Sequence, residues 1–168
     1  MTDDELTKKS KEFEEHKKQL IEDFVKEQIK YSNHANATVL YFIADFYYHS
    51  VSIYDDIDQH CETLRRQFRA GYCYFFAQML KDAFGRGEVC WAAPFSHIVW
   101  VDNDQIAYDI EGVNESEVEY YIPISYLGNV IDGFKHVRGL EHLTTKKFVV
   151  DTIERYKKDL EAKETTFF

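Results

Sequence analysis

The chain has only two prolines and seven glycines in 168 residues. That scarcity excludes a collagen-like repeat, a low-complexity tract and a Gly/Pro-rich linker between domains. Positive charge is also short. Twenty Lys and Arg stand against thirty Asp and Glu, a net charge of -10. A chain of that sign repels phosphate backbones and anionic lipid, so no nucleic-acid partner and no membrane surface is expected. The best basic run, "RRQFR" at Arg65–Arg69, is short and reads as a solvated helix face. No apolar run reaches the length of a membrane span. The opening "MTDDELTKKSKEF" has no basic start followed by an apolar stretch, so no secretory leader is expected. Cysteines are few and odd in number: Cys61, Cys73 and Cys90. Their irregular spacing makes no disulfide framework and suits a reducing, cytoplasmic setting.

Aromatic residues are plentiful. Twelve Tyr and thirteen Phe raise the aromatic share to 16%, within a hydrophobic content of 45%. Such a chain can bury a real core, and its length suits a single domain over residues 1–168. Four segments follow from the patterning. Residues 1–31 read as an amphipathic helix, with Leu6, Phe13, Leu20, Ile21, Phe24, Val25 and Gln28 on one narrow stripe. Glu14 with Lys18 and Glu22 with Lys26 stand at i,i+4 spacing. This helix either packs along the domain or forms a coiled-coil arm, and it is the candidate surface for a homodimer or a protein partner. Residues 32–70 read as helical. One helix covers about Ala37 to His49, and the next is capped by Ser52 or Asp55 and carries Ile57, Cys61, Leu64 and Phe68 at helical spacing. Cys61 is therefore a core residue.

Residues 71–143 change character. "GYCYFFAQML" opens an apolar helix over about Tyr72 to Phe84, closed by "GRG". Then "EVCWAAP", "FSHIVWVD" and "QIAYDIEGV" are short, alternating and rich in Val, Ile and aromatics, as consecutive antiparallel strands would be. A further strand or helical turn falls around Pro123. Residues 144–168 carry a last helix from about Thr144 to Glu161, with Phe148, Val149, Thr152, Ile153, Tyr156 and Leu160 on one face. Helices, then a sheet, then a helix make an α+β fold, helices packed on a small antiparallel sheet.

Cys73 shares its helix face with Phe76, Ala77, Leu80 and Phe84, so it points inward from the first turn. A helix N-terminus carries partial positive charge and unpaired N–H groups, which favour a thiolate and can bind an oxyanion. A buried Cys is also an ordinary core residue. His97 and Asp109 weigh against that plainer reading, because each sits inside an apolar strand pattern where a polar side chain needs a partner. A three-residue hairpin loop, Asp102-Asn103-Asp104, pairs Val101 with Gln105 and sets His97 opposite Asp109 on one face. It also pairs Trp100 with Ile106 and Ile98 with Tyr108. A two-residue Asn103-Asp104 turn instead sends Asp109 to the other face.

With those residues in place, "GYCYFFAQML…FG" followed by "SHIVWV…YDIEG" resembles the core of the papain-like and transglutaminase-like cysteine hydrolases. In those enzymes a nucleophilic Cys starts a buried helix, and a His and an Asp or Asn follow on neighbouring strands. The resemblance spans about Gln67 to Gly112 and implies a Cys73, His97, Asp109 triad without a cofactor, acting on a protein or peptide substrate. It also implies an oxyanion donor at Gln67, six residues before the Cys. The Cys-to-His interval is shorter than that of most relatives, which suggests a trimmed core. Peptidase, amidase, deamidase and transglutaminase-like reactions all pass through a thioester. The competing reading is a non-catalytic acidic binding or inhibitor protein on the same fold. A zinc site from Cys73, Cys90 and His97 lacks any CxxC or HxxxH spacing. Glu111 and Asp109, two apart, form a weaker candidate carboxylate pair. His34, His49, His60, His136 and His142 stand in polar or mixed contexts and read as surface or cap residues.

Overall fold

The charged N-terminal stretch forms the expected long helix, α1 (Asp3–Tyr31). The computed structural model describes residues 2–69, 71–114, 117–134 and 146–166. Among these, five further helices follow: α2 (Ala37–Tyr48), α3 (Ile57–Arg69), α4 (Cys73–Phe84), α5 (Ile131–Phe134) and α6 (Lys146–Thr166). Five strands form one small antiparallel sheet: β1 (Glu88–Ala93), β2 (Ile98–Val101), β3 (Ala107–Asp109), β4 (Gly112–Val113) and β5 (Tyr120–Pro123). The fold is α+β. No helix among the described residues is long and apolar enough to cross a membrane. The chain divides into two compact units, Met1–Arg66 with Glu111–Val113, and Gln67–Ile110 with Asn114–Phe168.

In the first unit, local sequence explains where each helix starts. Thr2 and Glu5 close a capping box at the head of α1. Asn36 Oδ1 accepts from the N–H groups of Thr38 and Val39 and opens α2. The expected caps of α3, Ser52 and Asp55, instead close the turn before it, where Ser52 N–H donates to the Asp55 carboxylate at 2.8 Å. Asp56 takes over the helix start, accepting from Gln59 N–H at 3.1 Å. The ion pairs on α1 also fall elsewhere, at i,i+3: Glu14 with Lys17 and Glu15 with Lys18. The Glu15–Lys18 pair is solvated and contributes little, whereas Lys17 is largely buried and also reaches the Val51 carbonyl.

The apolar stripe of α1 packs on α2 through its later turns. Phe24 meets Tyr47 at 5.9 Å between ring centroids, and Val25 is fully buried, while Leu6 stays exposed. Cys61 is a core residue, as its spacing predicts, and its thiol bonds the Tyr48 hydroxyl. Burial, with the neighbouring thiol, pushes the Tyr48 hydroxyl up to about 12. Gln28 acts as a side-chain substitute for a strand neighbour. Its Nε2 donates to the Glu111 carbonyl and its Oε1 accepts from Val113 N–H. Gly112 stands between them at φ 106°, and a Cβ there would run into the Gln28 amide.

The second unit holds strands β1, β2, β3 and β5 of the sheet with α4 and the C-terminal elements. The strand order is β4-β3-β2-β1-β5, so the chain folds β1 to β4 as successive neighbours and then returns to pair β5 with β1. The segment around Pro123 is therefore a strand, followed by a 3-10 turn over Ile124–Val130. One face of the sheet meets α4, where Phe84 stacks on Trp100 at 5.6 Å and Trp100 packs on Tyr108. The other face carries Cys90, Ala92, Val99, Val101 and Ala107, covered by Val118 and Tyr121. Helix α6 brings Phe148 against Trp91, and Thr152 on the predicted face is buried. It is described from Lys146 onward, and Thr144 lies outside the described residues.

The β2–β3 register differs from the expected one by two residues. Trp100 pairs with Tyr108 and Val101 with Ala107. Asp102 N–H then bonds the Ile106 carbonyl, so the three-residue loop is Asn103-Asp104-Gln105, with Gln105 in the left-handed region at φ 71°. Tertiary contacts explain the slide. Asp102 is no longer a loop residue but a buried carboxylate, held by Arg86 through two bonds of 2.6 and 2.9 Å. That guanidinium keeps the Asp102 carboxyl below the usual carboxylate range. Trp100 gains Tyr108 as its cross-strand partner, and its indole N–H donates to the Arg86 carbonyl.

The turn that delivers Arg86 rests on two glycines with unequal surroundings. Gly85 ends α4 at φ 63° in open space, whereas a Cβ on Gly87, at φ 77°, would come within 2.5 Å of the Val101 carbonyl and 2.7 Å of Trp100 Nε1. Gly85→Ala should cost about 1 kcal/mol, the strain of the left-handed backbone alone. Gly87→Ala should cost roughly 3 kcal/mol, because overpacking adds to the strain. Urea unfolding of both variants checks this, and equal losses would contradict the described packing at Gly87.

Candidate functional site

Cys73 is the first residue of α4. Gly71 precedes it at φ 148°, and Tyr72, at the cap position, supplies no side-chain hydrogen bond. The first helical bond runs from Phe76 N–H to the Tyr72 carbonyl at 3.2 Å. The N–H groups of Cys73, Tyr74 and Phe75 thus precede the helical ladder at its positive end. The inward face of α4 is as the spacing predicts: Cys73, Phe76, Ala77 and Leu80 are all buried, Cys73 to 2% exposure.

His97 lies just ahead of β2, not inside it. Pro94 and the two residues after it form a turn that follows a cis Ala93–Pro94 bond. Phe95 N–H bonds the Ala92 carbonyl, and the Trp91 indole N–H donates to the Phe95 carbonyl. Ala92 N–H then bonds the His97 carbonyl at 2.9 Å, which extends the β1–β2 ladder by one residue. The imidazole is therefore held from its backbone by a tied loop.

The structure brings Cys73, His97 and Asp109 together. His97 Nε2 lies 2.9 Å from Asp109 Oδ2, and the Cys73 thiol is close enough to the same ring to raise its pKa. With Nε2 engaged, Nδ1 is the nitrogen open to the thiol. Asp109 does not sit directly opposite His97, because the observed register sets it beside Val99. It reaches the ring diagonally. A slide of two residues preserves the face on which every side chain falls, and diagonal neighbours remain within reach. Asp109 is 7% exposed.

Two residues with no distinguishing sequence signal complete this cluster. Asn114 Nδ2 donates to Asp109 Oδ2 at 3.0 Å. The Tyr121 hydroxyl lies 2.8 Å from Asn114 Oδ1 and 2.9 Å from its carbonyl oxygen. Burial works against a charged His97. The hydrogen bonds from Asp109 and Cys73, with their charges, outweigh it, and the ring is pushed up to about 9.

The other candidates are not joined to this group. Gln67 remains in the last turn of α3 with an exposed side chain. Its bond to the α4 entrance is made by its carbonyl, from Tyr72 N–H at 3.1 Å. Its amide makes no bond to the triad among the described residues, because α3 continues past the position where the resemblance would need a loop. Glu111 is exposed in the turn after β3, while Asp109 is buried, so the two do not form a carboxylate pair. Cys90 is a β1 core residue whose thiol burial pushes up to about 12. Among the described residues no three His, Cys, Asp or Glu side chains gather as a metal site. His34 and His49 are exposed, and His60 stands 3.5 Å from Ser50 Oγ. His136 and His142 lie outside the described residues.

A family model described as Phage YunG-like protein matches residues 50–158. The chain belongs to the Phage YunG-like family. The matched span contains Cys73, His97, Asp109, Asn114 and Tyr121. No curated protein matches the chain. No solved structure matches it either.

A His whose pKa is raised by folding stabilises the fold while it is charged. That contribution is full below the ordinary value near 6.5 and is lost as pH rises through about 9. By NMR titration His97 should therefore change charge near pH 9. Asp109→Asn should lower that midpoint by at least about one unit, and should flatten the loss of stability between pH 6.5 and 9. A wild-type midpoint near 6.5 would contradict the paired geometry.

Proposed function

We propose that this YunG-like protein is a cysteine-dependent hydrolase or acyltransferase acting through a thioester on Cys73. The observation that carries the reading is a single imidazole that lies 2.9 Å from the buried Asp109 carboxylate and has the Cys73 thiol close enough to raise its pKa. A satisfied core histidine needs no thiol at a helix start. This arrangement is the one that general-base activation of a thiol requires.

In the proposed reaction the thiol proton resides on His97, and the Cys73 sulfur attacks a substrate carbonyl carbon. The N–H groups that open α4, which Tyr72 does not cap with its side chain, are the candidate donors for the developing oxyanion. His97 then gives its proton to the leaving amine, and the carbon–nitrogen bond breaks to leave the thioester. Water or a second amine, deprotonated by His97, attacks that thioester and restores the thiol. Asp109 orients the ring throughout. The order Cys, His, Asp, with the Cys heading a helix and the acid on a strand next to β2, supports reading the second unit as a trimmed papain-like or transglutaminase-like core. Exposed aromatics flank both reacting groups, Tyr72 and Phe75 beside Cys73 and Phe95 beside His97. They suit a protein or peptide substrate. No cofactor enters this chemistry, and the setting that suits it is the reducing cytoplasm.

One observation favours a second reading. Cys73 is only 2% exposed, as a purely structural thiol would be. The chain would then be an acidic binding or inhibitor protein, with α1 as a candidate partner surface.

Alkylation of Cys73 by iodoacetamide from pH 5 to 9, read by mass spectrometry, separates the two. A free thiol with a pKa of about 8.5 is only about 0.3% thiolate at pH 6. An activated Cys73 should react at pH 6 at least about tenfold faster than free cysteine, even allowing for the weaker nucleophilicity of a low-pKa thiolate. His97→Ala should abolish that advantage. An inert Cys73, or equal profiles in the two proteins, would overturn the enzyme reading.

A further inference from the structure

The Asp109 carboxylate is not left to hold His97 alone. Its Oδ2 accepts two hydrogen bonds, from His97 Nε2 at 2.9 Å and from Asn114 Nδ2 at 3.0 Å. An ionised carboxylate can only accept, so the Nδ2 end of the Asn114 amide faces Asp109. The far end, Oδ1, lies 2.8 Å from the Tyr121 hydroxyl, which also reaches the Asn114 carbonyl at 2.9 Å and holds the residue there. Asn114 is also fixed at its backbone, where its N–H bonds the Ala107 carbonyl at 2.8 Å. Tyr121 is fixed as well. It is paired with Ala92 in the β5–β1 ladder, and its ring packs on the Cys90, Val99 and Ala107 face. A residue just before β2 and a residue just after β4 thus meet on a single carboxylate oxygen of β3, and a tyrosine of β5 holds the second of them.

We propose that Asn114 and Tyr121 are positioning residues: Tyr121 holds the Asn114 amide in place, the amide locks the Asp109 carboxylate, and the locked carboxylate keeps the His97 ring aimed at the Cys73 thiol. The functional weight of this chain of bonds rests on the cysteine reading given above. Without Asn114, the Asp109 oxygen that holds His97 loses a donor, and its grip on Nε2–H weakens. Without the Tyr121 hydroxyl, the Asn114 amide loses the bond that holds its far end and can swing off the carboxylate. Because Tyr121 acts only through Asn114, the two losses do not add.

The test uses the full chain and three variants, Asn114→Ala, Tyr121→Phe and the double substitution, each checked for folding by thermal melt. Tyr121→Phe deletes one oxygen and keeps the ring on its apolar face, so it is the variant best suited to retain the fold. Two quantities are read: the rate of Cys73 alkylation by iodoacetamide at pH 6, and the NMR resonance of the His97 Nε2–H proton. A hydrogen bond to a charged group is worth enough that Asn114→Ala should slow alkylation by roughly tenfold, and Tyr121→Phe by about threefold or more. The double variant should be no slower than Asn114→Ala, within about a factor of two. In all three the Nε2–H resonance should broaden into exchange with water. A folded Tyr121→Phe or Asn114→Ala that keeps both the wild-type rate and a sharp resonance overturns the proposal, as does a double variant whose losses multiply. If wild-type Cys73 alkylates like free cysteine, the cysteine reading fails on its own. The resonance then decides the positioning role: broadening in the variants supports it, and persistence overturns it.

Discussion

An ionised carboxylate buried in a sheet must be paired, or its desolvation cost would destabilise the fold. Asp109 is that carboxylate, and much of the second unit can be read as the means of pairing it. It sits at the end of β3, so its position depends on the β2–β3 register. Its partner His97 comes from a loop tied by Ala92, Phe95 and Trp91. Its other named partner, Asn114, is held by a tyrosine from a strand that returns to pair with β1. The thiol enters last, from the head of α4, a helix anchored on the opposite face of the sheet by Phe84 and Trp100. A carboxylate on one face and a helix on the other thus meet at one imidazole.

The parity of the strands matters more here than their detailed pairing. Sequence alternation sets Asp109 directly across from His97, with the loop at 102–104. In the fold the loop is 103–105 and the pairing has moved by two residues. Both arrangements put the two side chains on one face, because the side-chain period of a strand is two. A slide of one residue would have turned Asp109 away. The loop departs from local residue preference for a physical reason. Asn and Asp tolerate the left-handed region better than Gln, yet Gln105 occupies it at φ 71°. Pairing Asp102 with Arg86 and Trp100 with Tyr108 outweighs the local preference of one loop residue.

Helix starts divide in the same way. Thr2 with Glu5 and Asn36 act on the backbone a few residues away, so α1 and α2 begin where the sequence predicts. Ser52 and Asp55 are equally good caps by type, but they bond each other in a turn, and Asp56 starts α3. Gln67 shows the same limit. The resemblance needs it in a loop before the nucleophile, whereas α3 runs on through Arg69 and leaves its side chain exposed.

The sequence by itself determined what depends on short spacing. It set the α+β order of elements, the inward face of α4 with Cys73 at its head, and the shared face of His97 and Asp109. Each of these follows from the 3.6 and 2.0 residue periods of the backbone. Only the tertiary structure decided that Asn114 and Tyr121 join the site, that Asp102 leaves the loop for Arg86, and that Gln67 stays outside. Those outcomes depend on which strand lies beside which. β5 pairs with β1 across the sheet from β4, and no local pattern in the chain encodes that return.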